Sequence, residues 1–376
     1  MSSKNIAFEI TQIVPRLKPA TDGVGEYALI LAKELLETYG IKTKFIVADP
    51  HWNGSDRIED FEIKVLKERT VSALLEALEN SSYVLLQYVG YSYAKKGCPL
   101  WLSKALQAFS QSSSEKHLIV YFHELLASGK PWSSAFWLRP LQKFVARSLA
   151  QISKRCLVSN SLYAEMLTSF QEEKIRPDIL PLCSLIGEGQ QIKSFKNRDS
   201  RLVVFGTLGR RLEVYRNSSN YLEMFCRYLG IKEIIDIGQA SADIPASLVT
   251  IPIKKMGIMQ EAEICQIMST ALVGVVDYPA MLLGKSSIFA AYCSFALLPV
   301  VLGDLQSLKY DDGISAGTQY ISVGQEIESF PNDKLEQISL AAHNWYLLHD
   351  RKIHAKHFAE IFNEAFGQDR LKKAEK

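Results

Sequence analysis

Long apolar runs are missing from this 376-residue chain. The longest, Ile288–Leu302, is broken by Ser294 and Pro299 and bounded by Lys285 and Asp304, and its 15 residues fall short of the ~20 that cross a bilayer. The amino terminus offers a single basic residue, Lys4, and Glu9 stands inside its apolar stretch, so it does not read as a signal peptide. An excess of one charge is missing too. With 43 Lys and Arg against 41 Asp and Glu, the net charge of +2 supplies no global field for nucleic acid or anionic lipid, and any phosphate-binding charge is expected to be local. Cysteine is sparse: Cys98, Cys156, Cys183, Cys226, Cys265 and Cys293 form no CxxC pair and share no metal-ligand spacing with histidine. They read as reduced core thiols of a cytosolic protein.

What remains is an ordinary globular composition, 47% apolar and 22% charged, long enough for two domains. Short β-rich runs (Ile6–Ile13, Lys44–Ala48, Tyr83–Gln87, Leu118–Phe122, Arg155–Val158, Ile179–Leu182) alternate with stretches of helical spacing such as Tyr27–Tyr39, Leu138–Ile152 and Tyr163–Phe170. That alternation predicts βαβ units and mostly parallel sheets covered on both faces. It halts at the polar stretch Gly187–Ser200, read as a linker too polar to fill a core, and restarts with Leu202–Phe205. Strands are then expected at Glu233–Ile237, Leu248–Ile253, Leu272–Val276 and Leu298–Leu302, with helices at Asn220–Tyr228, Glu261–Ser269 and Ser286–Phe295. The expectation is an α/β architecture of two doubly wound, Rossmann-like domains facing a central cleft. Residues 1–186 form the first and 201–350 the second; 187–200 is the linker, and 351–376 a C-terminal helix and tail returning to the first domain. Open α/β sheets bind ligands beyond the carboxyl ends of their strands, so chemistry is sought there.

Four segments sit at such ends. Gly23 and Gly25 bracket a helix start after the first strand, where free amides and the helix dipole favour an anion, or where glycine merely serves a turn. His123-Glu124 follows Leu118–Phe122, as catalytic groups or as a capping pair. Gly206 with Arg210 and Arg211, and Arg216 beyond, suits a diphosphate, or forms a solvated loop. Lys285-Ser286-Ser287 opens a helix and offers amides plus a cation, or a plain N-cap. An ATPase P-loop is excluded there, because Pro279 occupies the place of the required first glycine. His343, His349, His354 and His357 are close in sequence but lack partners for a metal set and read as helix-surface residues; the aromatics Trp345, Tyr346, Phe358, Phe362 and Phe366 read as packing.

Taken together, Asp22-Gly23-Val24-Gly25-Glu26-Tyr27, the strand ending His123-Glu124, Val158-Ser159-Asn160-Ser161, Phe205-Gly206 with its arginines, Asp277-Tyr278-Pro279 through Leu298-Pro299-Val300-Val301, and Trp345-Tyr346 with His349 resemble a GT-B glycosyltransferase of the large retaining nucleotide-sugar family. The resemblance implies transfer of a sugar from a nucleotide diphosphate donor to a saccharide or other hydroxyl acceptor, with retention, without a metal and with no cofactor beyond the donor. Gly23 and Gly25 would approach the diphosphate or acceptor, and His123 would touch the sugar. Arg210 or Arg211 would clamp the diphosphate, and the amides at Lys285–Ser287 would hold its distal phosphate. Leu283 and Ala291 stand where that family carries two glutamates. Those departures motivate a second expectation, a GT-B-like binding or scaffold module without catalysis; a nucleotide-sugar epimerase is a third. Val89–Pro99 (Tyr91, Tyr93, Lys95, Lys96) and Leu126–Trp137 (Lys130, Trp132, Trp137) are read as acceptor-side loops, as loop packing, or as a peripheral contact with the inner membrane face; nucleic acid is not expected as a partner.

Overall fold

The computed structural model describes residues 8–126, 132, 134–170, 176–217, 219–303 and 312–374. The chain divides into two units, Met1–Leu180 with Arg351–Lys376, and Pro181–Asp350.

The first unit is built on a sheet of strands β1 (Phe8–Val14), β2 (Ile41–Val47), β3 (Arg57–Ile58), β4 (Phe61–Val65), β5 (Tyr83–Val89), β6 (His117–Glu124), β7 (Arg155–Val158) and β8 (Asp178–Ile179). Their order is β3-β4-β2-β1-β5-β6-β7-β8, parallel except for the β3–β4 pair. The second carries β9 (Asp199–Phe205), β10 (Glu233–Ile237), β11 (Ser247–Leu248), β12 (Ile251–Gly257), β13 (Ala271–Val276), β14 (Leu298–Val301) and β15 (Ile321–Ser322), in the order β11-β12-β10-β9-β13-β14-β15. Renumbered from its own first strand, the second sheet repeats the order of the first and again has one antiparallel pair, β11–β12. In each, chain order reverses beside the unit's first strand, between β1 and β5 and between β9 and β13. Such reversals open a crevice at the carboxyl ends of the strands.

Central strands such as β5 and β6 are buried almost throughout, because helices cover both faces and apolar runs need not alternate. The helix Gly23–Tyr39 buries Tyr27, Ala28, Leu31, Ala32 and Leu35, begins at the Asp22 cap and stops at Gly40, whose φ of 66° lets its amide turn back onto the Leu35 and Leu36 carbonyls. The C-terminal helix Arg351–Ala374 belongs to this same unit: the Tyr27 hydroxyl and His354 Nδ1 lie 2.8 Å apart, and Phe358 packs 6.1 Å from Tyr121. His354 is therefore interior, and so is His349 in the second unit, against the expectation of surface histidines. The expected aromatic packing holds for Trp345, Tyr346, Phe358 and Phe362, all buried; the Phe366 side chain lies outside the described residues.

Two readings of the second unit need correction. The polar stretch 187–200 does contribute to a core: Phe195 joins the apolar cluster, and the Arg198 guanidinium is buried on the carbonyls of Lys193, Ala271 and Phe295. Composition hid this because the stretch buries only one apolar side chain, Phe195, and one cation, Arg198, which donates to three carbonyls. Leu248–Ile253 is a hairpin, not one strand, turning at Val249 with a φ of 53°.

A buried tyrosine hydroxyl sits at each strand-order reversal. Tyr93 donates to the Ile13 and Gln87 carbonyls at 3.1 and 2.8 Å, just past the last β1–β5 pair, Ile13 with Leu86. The Tyr292 hydroxyl accepts the Phe205 amide and donates to the Val275 carbonyl, both at 3.1 Å, just past the last β9–β13 pair, Val204 with Val275. Its ring needs Gly274, since a Cβ there would lie 2.4 Å from it. Tyr292→Phe keeps the ring and strands the Phe205 amide, so urea unfolding should show a loss of about 1–3 kcal/mol.

Candidate functional site

The carboxyl ends of β9 and β13 carry most of the residues singled out in the second unit. Gly206 turns the chain after β9 at a φ of 137°, a conformation open to glycine. A Cβ on Gly206 would stand 2.6 Å from Ile288 Cδ1, so this turn lies against the first turn of the helix Ser287–Ser294. Ser286 caps that helix, its Oγ accepting the Phe289 amide at 3.2 Å, and Lys285 precedes the cap. The first amides of a helix lack intrahelical acceptors and lie at the positive end of its dipole. Arg210, on the helix Leu208–Asn217, has a side chain 43% exposed. Its guanidinium lies 4.9 Å from the Tyr278 ring and reaches the Asp277 carbonyl at 3.4 Å and Glu213 at 3.2 Å. The unit thus gathers Gly206, Arg210, Tyr278 and the start of the Ser287–Ser294 helix around its strand-order reversal.

Arg211 is a different residue altogether. It is 1% exposed, and its guanidinium donates to Asp236, the Gly206 carbonyl at 3.0 Å and the Gln239 carbonyl. Asp236 is completed by the Tyr215 hydroxyl at 2.9 Å. Burial pushes the Asp236 carboxyl upward in pKa, while Tyr215 and Arg211 pull it back. With every donor direction turned inward, Arg211 cannot serve as the expected diphosphate clamp. Gly238, at a φ of 144°, closes over it: a Cβ there would lie 2.4 Å from the Gly206 carbonyl oxygen and 2.7 Å from Arg211 Nε. Asp236, Gly238 and Gly303, which packs against the Tyr278 carbonyl, were missed in the sequence; the available signal was a glycine directly after a strand run, as in Ile237-Gly238 and Leu302-Gly303.

In the first unit, the helix start at Gly23 and Gly25 is already supplied with an anion of its own. Asp22 Oδ1 accepts the Val24 and Gly25 amides at 3.0 and 3.1 Å. Gly25 is required because a Cβ would fall 2.0 Å from the Arg16 carbonyl oxygen. The expected anion role of these amides is therefore taken by a side chain. His123, next to last in β6, is only 4% exposed. Its Nε2 lies 2.7 Å from Gln87 Oε1, Gln87 in turn donates to Gln12 at 2.8 Å, and the Tyr27 and Tyr121 rings flank the imidazole at 5.2 and 4.3 Å. Glu124, beside it, is half-buried. Asn160 caps the helix Ser161–Ser169 through the Tyr163 amide. Tyr93, read as an acceptor-loop aromatic, is interior. Leu283 and Ala291, at the two glutamate positions of the resembled family, are both buried, so these positions serve packing here. Among the described residues no group of three or more His, Cys, Asp or Glu is arranged to hold a metal ion, and no helix is long and apolar enough to cross a membrane.

No protein-family model matches this chain, and no curated protein sequence does so significantly. Solved structures match over nearly its whole length. An alpha-glucosyltransferase, solved with UDP-glucose and DNA containing an abasic site, has a TM-score of 0.60 at 12% identity over 96% of this chain and 99% of its own. Anabaena HepE, solved with UDP and glucose, has a TM-score of 0.57 at 10% identity over 94% and 99%. A UDP-N-acetylglucosamine 2-epimerase has a TM-score of 0.56 at 11% identity over 96% and 97%. These likenesses show the fold, and the chain has the two-domain GT-B architecture expected from its sequence.

The two adjacent arginines separate by experiment. Arg211→Leu leaves Asp236 buried without its cation and should cost about 3–5 kcal/mol in chemical denaturation. Arg210→Ala, at an exposed ion pair, should cost under about 1 kcal/mol.

Proposed function

We propose that this protein is a glycosyltransferase that moves a sugar from a nucleotide diphosphate donor to a hydroxyl acceptor, with a saccharide as the leading class. The observation that carries this reading is the convergence, at the β9–β13 reversal, of the Gly206 turn, the Arg210 guanidinium and the Ser286-capped helix start. Guanidinium, ammonium and helix amides are the groups that stabilise a departing diphosphate, the charge that develops as the glycosidic bond breaks. Arg210 and Lys285 take the two phosphates in this reading, with the amides of Ser286 and Ser287 beside them. The donor is a co-substrate, and neither a resident cofactor nor a metal ion is given a role. Retention of configuration is carried over from the resemblance. Glu124 and the small exposed area of His123 are assigned to the acceptor side, where the first unit's strands end. Six cysteines that form no disulfide support a reducing, cytosolic setting.

Leu283 and Ala291 favour a second reading, in which the same site binds a nucleotide diphosphate without transferring a sugar. Thermal unfolding with nucleotide diphosphates and nucleotide sugars separates the outcomes. A bound donor at 100 times its Kd should stabilise the protein by about 2.7 kcal/mol. Arg210→Ala and Lys285→Ala should each weaken that binding by about 10- to 100-fold, the value of one charge-assisted contact. Stabilisation with release of free or transferred sugar supports the transferase, and stabilisation alone supports the binding module. Appearance of an epimerised donor would select the isomerase chemistry, and no stabilisation by any nucleotide would overturn the site.

A further inference from the structure

From Glu124 to Glu165 the chain holds no intervening acidic residue but six basic ones, in a protein whose net charge is only +2. Three of the six, Arg139, Lys143 and Arg147, fall on the helix Arg139–Ile152 of the first unit, which follows the short helix Ser134–Trp137. The longer helix buries Gln142, Val145, Ala146, Leu149 and Ala150, so its other face carries Arg139, Lys143, Phe144 and Arg147. Large aromatics stand out from the same segment: Trp132 is 79% exposed, Trp137 72%, Phe144 56% and Phe136 39%. Such exposure is unusual for four large aromatic residues within thirteen positions and marks an interaction surface. The Gln142 side chain ties a second basic element to it, donating to the Lys96 carbonyl at 3.2 Å and holding the loop that exposes Lys95 and Lys96.

We propose that this face docks on an anionic lipid bilayer. The composition is that of an interfacial anchor. Tryptophan places an apolar body and a polar N–H at the headgroup level, and phenylalanine adds apolar depth. Lysine and arginine are drawn to anionic headgroups while their stems cover apolar surface. Between Glu124 and Glu165 no acid interrupts these cations in sequence. A single-stranded nucleic acid would use the same cations and stack on aromatic rings, but its platforms line a groove, whereas these side chains stand out from the exposed face of one helix and the short helix before it. The inference stands apart from the donor site, which belongs to the second unit.

Co-sedimentation of the full chain with vesicles tests it. Binding is expected to vesicles of phosphatidylcholine mixed with phosphatidylglycerol, with at least a tenfold loss on pure phosphatidylcholine. Trp137→Ala combined with Phe144→Ser, and separately Arg139→Glu combined with Lys143→Glu, should each reduce binding at least tenfold, while thermal unfolding and nucleotide-induced stabilisation stay unchanged. Tryptophan emission should shift to the blue on the mixed vesicles and be quenched by brominated phosphatidylcholine, and both effects should vanish in Trp132→Phe combined with Trp137→Phe. Trp52 and Trp345 are buried and Trp101 half-buried, so they leave the signal unchanged. Failure to sediment with mixed vesicles overturns the proposal. So does undiminished binding of both double variants, or capture of a single-stranded oligonucleotide in place of vesicles.

Discussion

Two strands that part company need something to hold them where their ladder stops. In each unit a tyrosine hydroxyl does this, bridging main-chain groups of both strands at the point where strand order reverses. The two tyrosines reach their stations from different directions. Tyr93 lies in the turn directly after β5, whereas Tyr292 comes from the helix Ser287–Ser294 and passes its ring over Gly274. In the second unit this couples the crevice to the very helix whose capped start is proposed to meet phosphate. The amides at Lys285–Ser287 and the turn at Gly206 are held in register by one buried side chain seated between β9 and β13. Preorganisation of that kind is what electrostatic stabilisation of a leaving group requires.

Positive charge near the crevice is divided by the pitch of a helix. Successive residues point about 100° apart, so Arg210 and Arg211 cannot share a role. One guanidinium lies over Tyr278 with part of its surface accessible; the other is drawn inward to Asp236 and backbone carbonyls. The inward arginine still serves the site by tying the turn after β9 to the turn after β10 through the Gly206 and Gln239 carbonyls. Glycines on both turns let the backbone come that near.

The parts of this architecture that were legible in the sequence are those governed by local pattern. β-rich runs such as Tyr83–Gln87 and Leu118–Phe122 marked strands of sheets covered on both faces, and their alternation with amphipathic helices led to the doubly wound fold. What escaped depended on partners remote in sequence. Which of two neighbouring arginines turns inward rests on Asp236, 25 residues away. His354 is interior because Tyr27, 327 residues earlier, awaits it. Gly25 looked like a phosphate-facing glycine, but the nearby Arg16 carbonyl demands its small size and Asp22 already occupies the amides. Val249 turns a hairpin without the glycine or asparagine that would have announced it.

The hydrogen bond between Tyr27 and His354 also bears on how the polypeptide is made. A ribosome emits Tyr27 a full 327 residues before His354, so the helix layer of the amino-terminal sheet closes only after the second unit has been made. The second unit, by contrast, is continuous from Pro181 to Asp350 and leaves the exit tunnel with all of its own packing partners. Nascent chains usually complete their domains from the amino terminus onward. Here the middle portion of the chain can complete its packing without the rest, whereas the leading portion needs a helix that is translated after it.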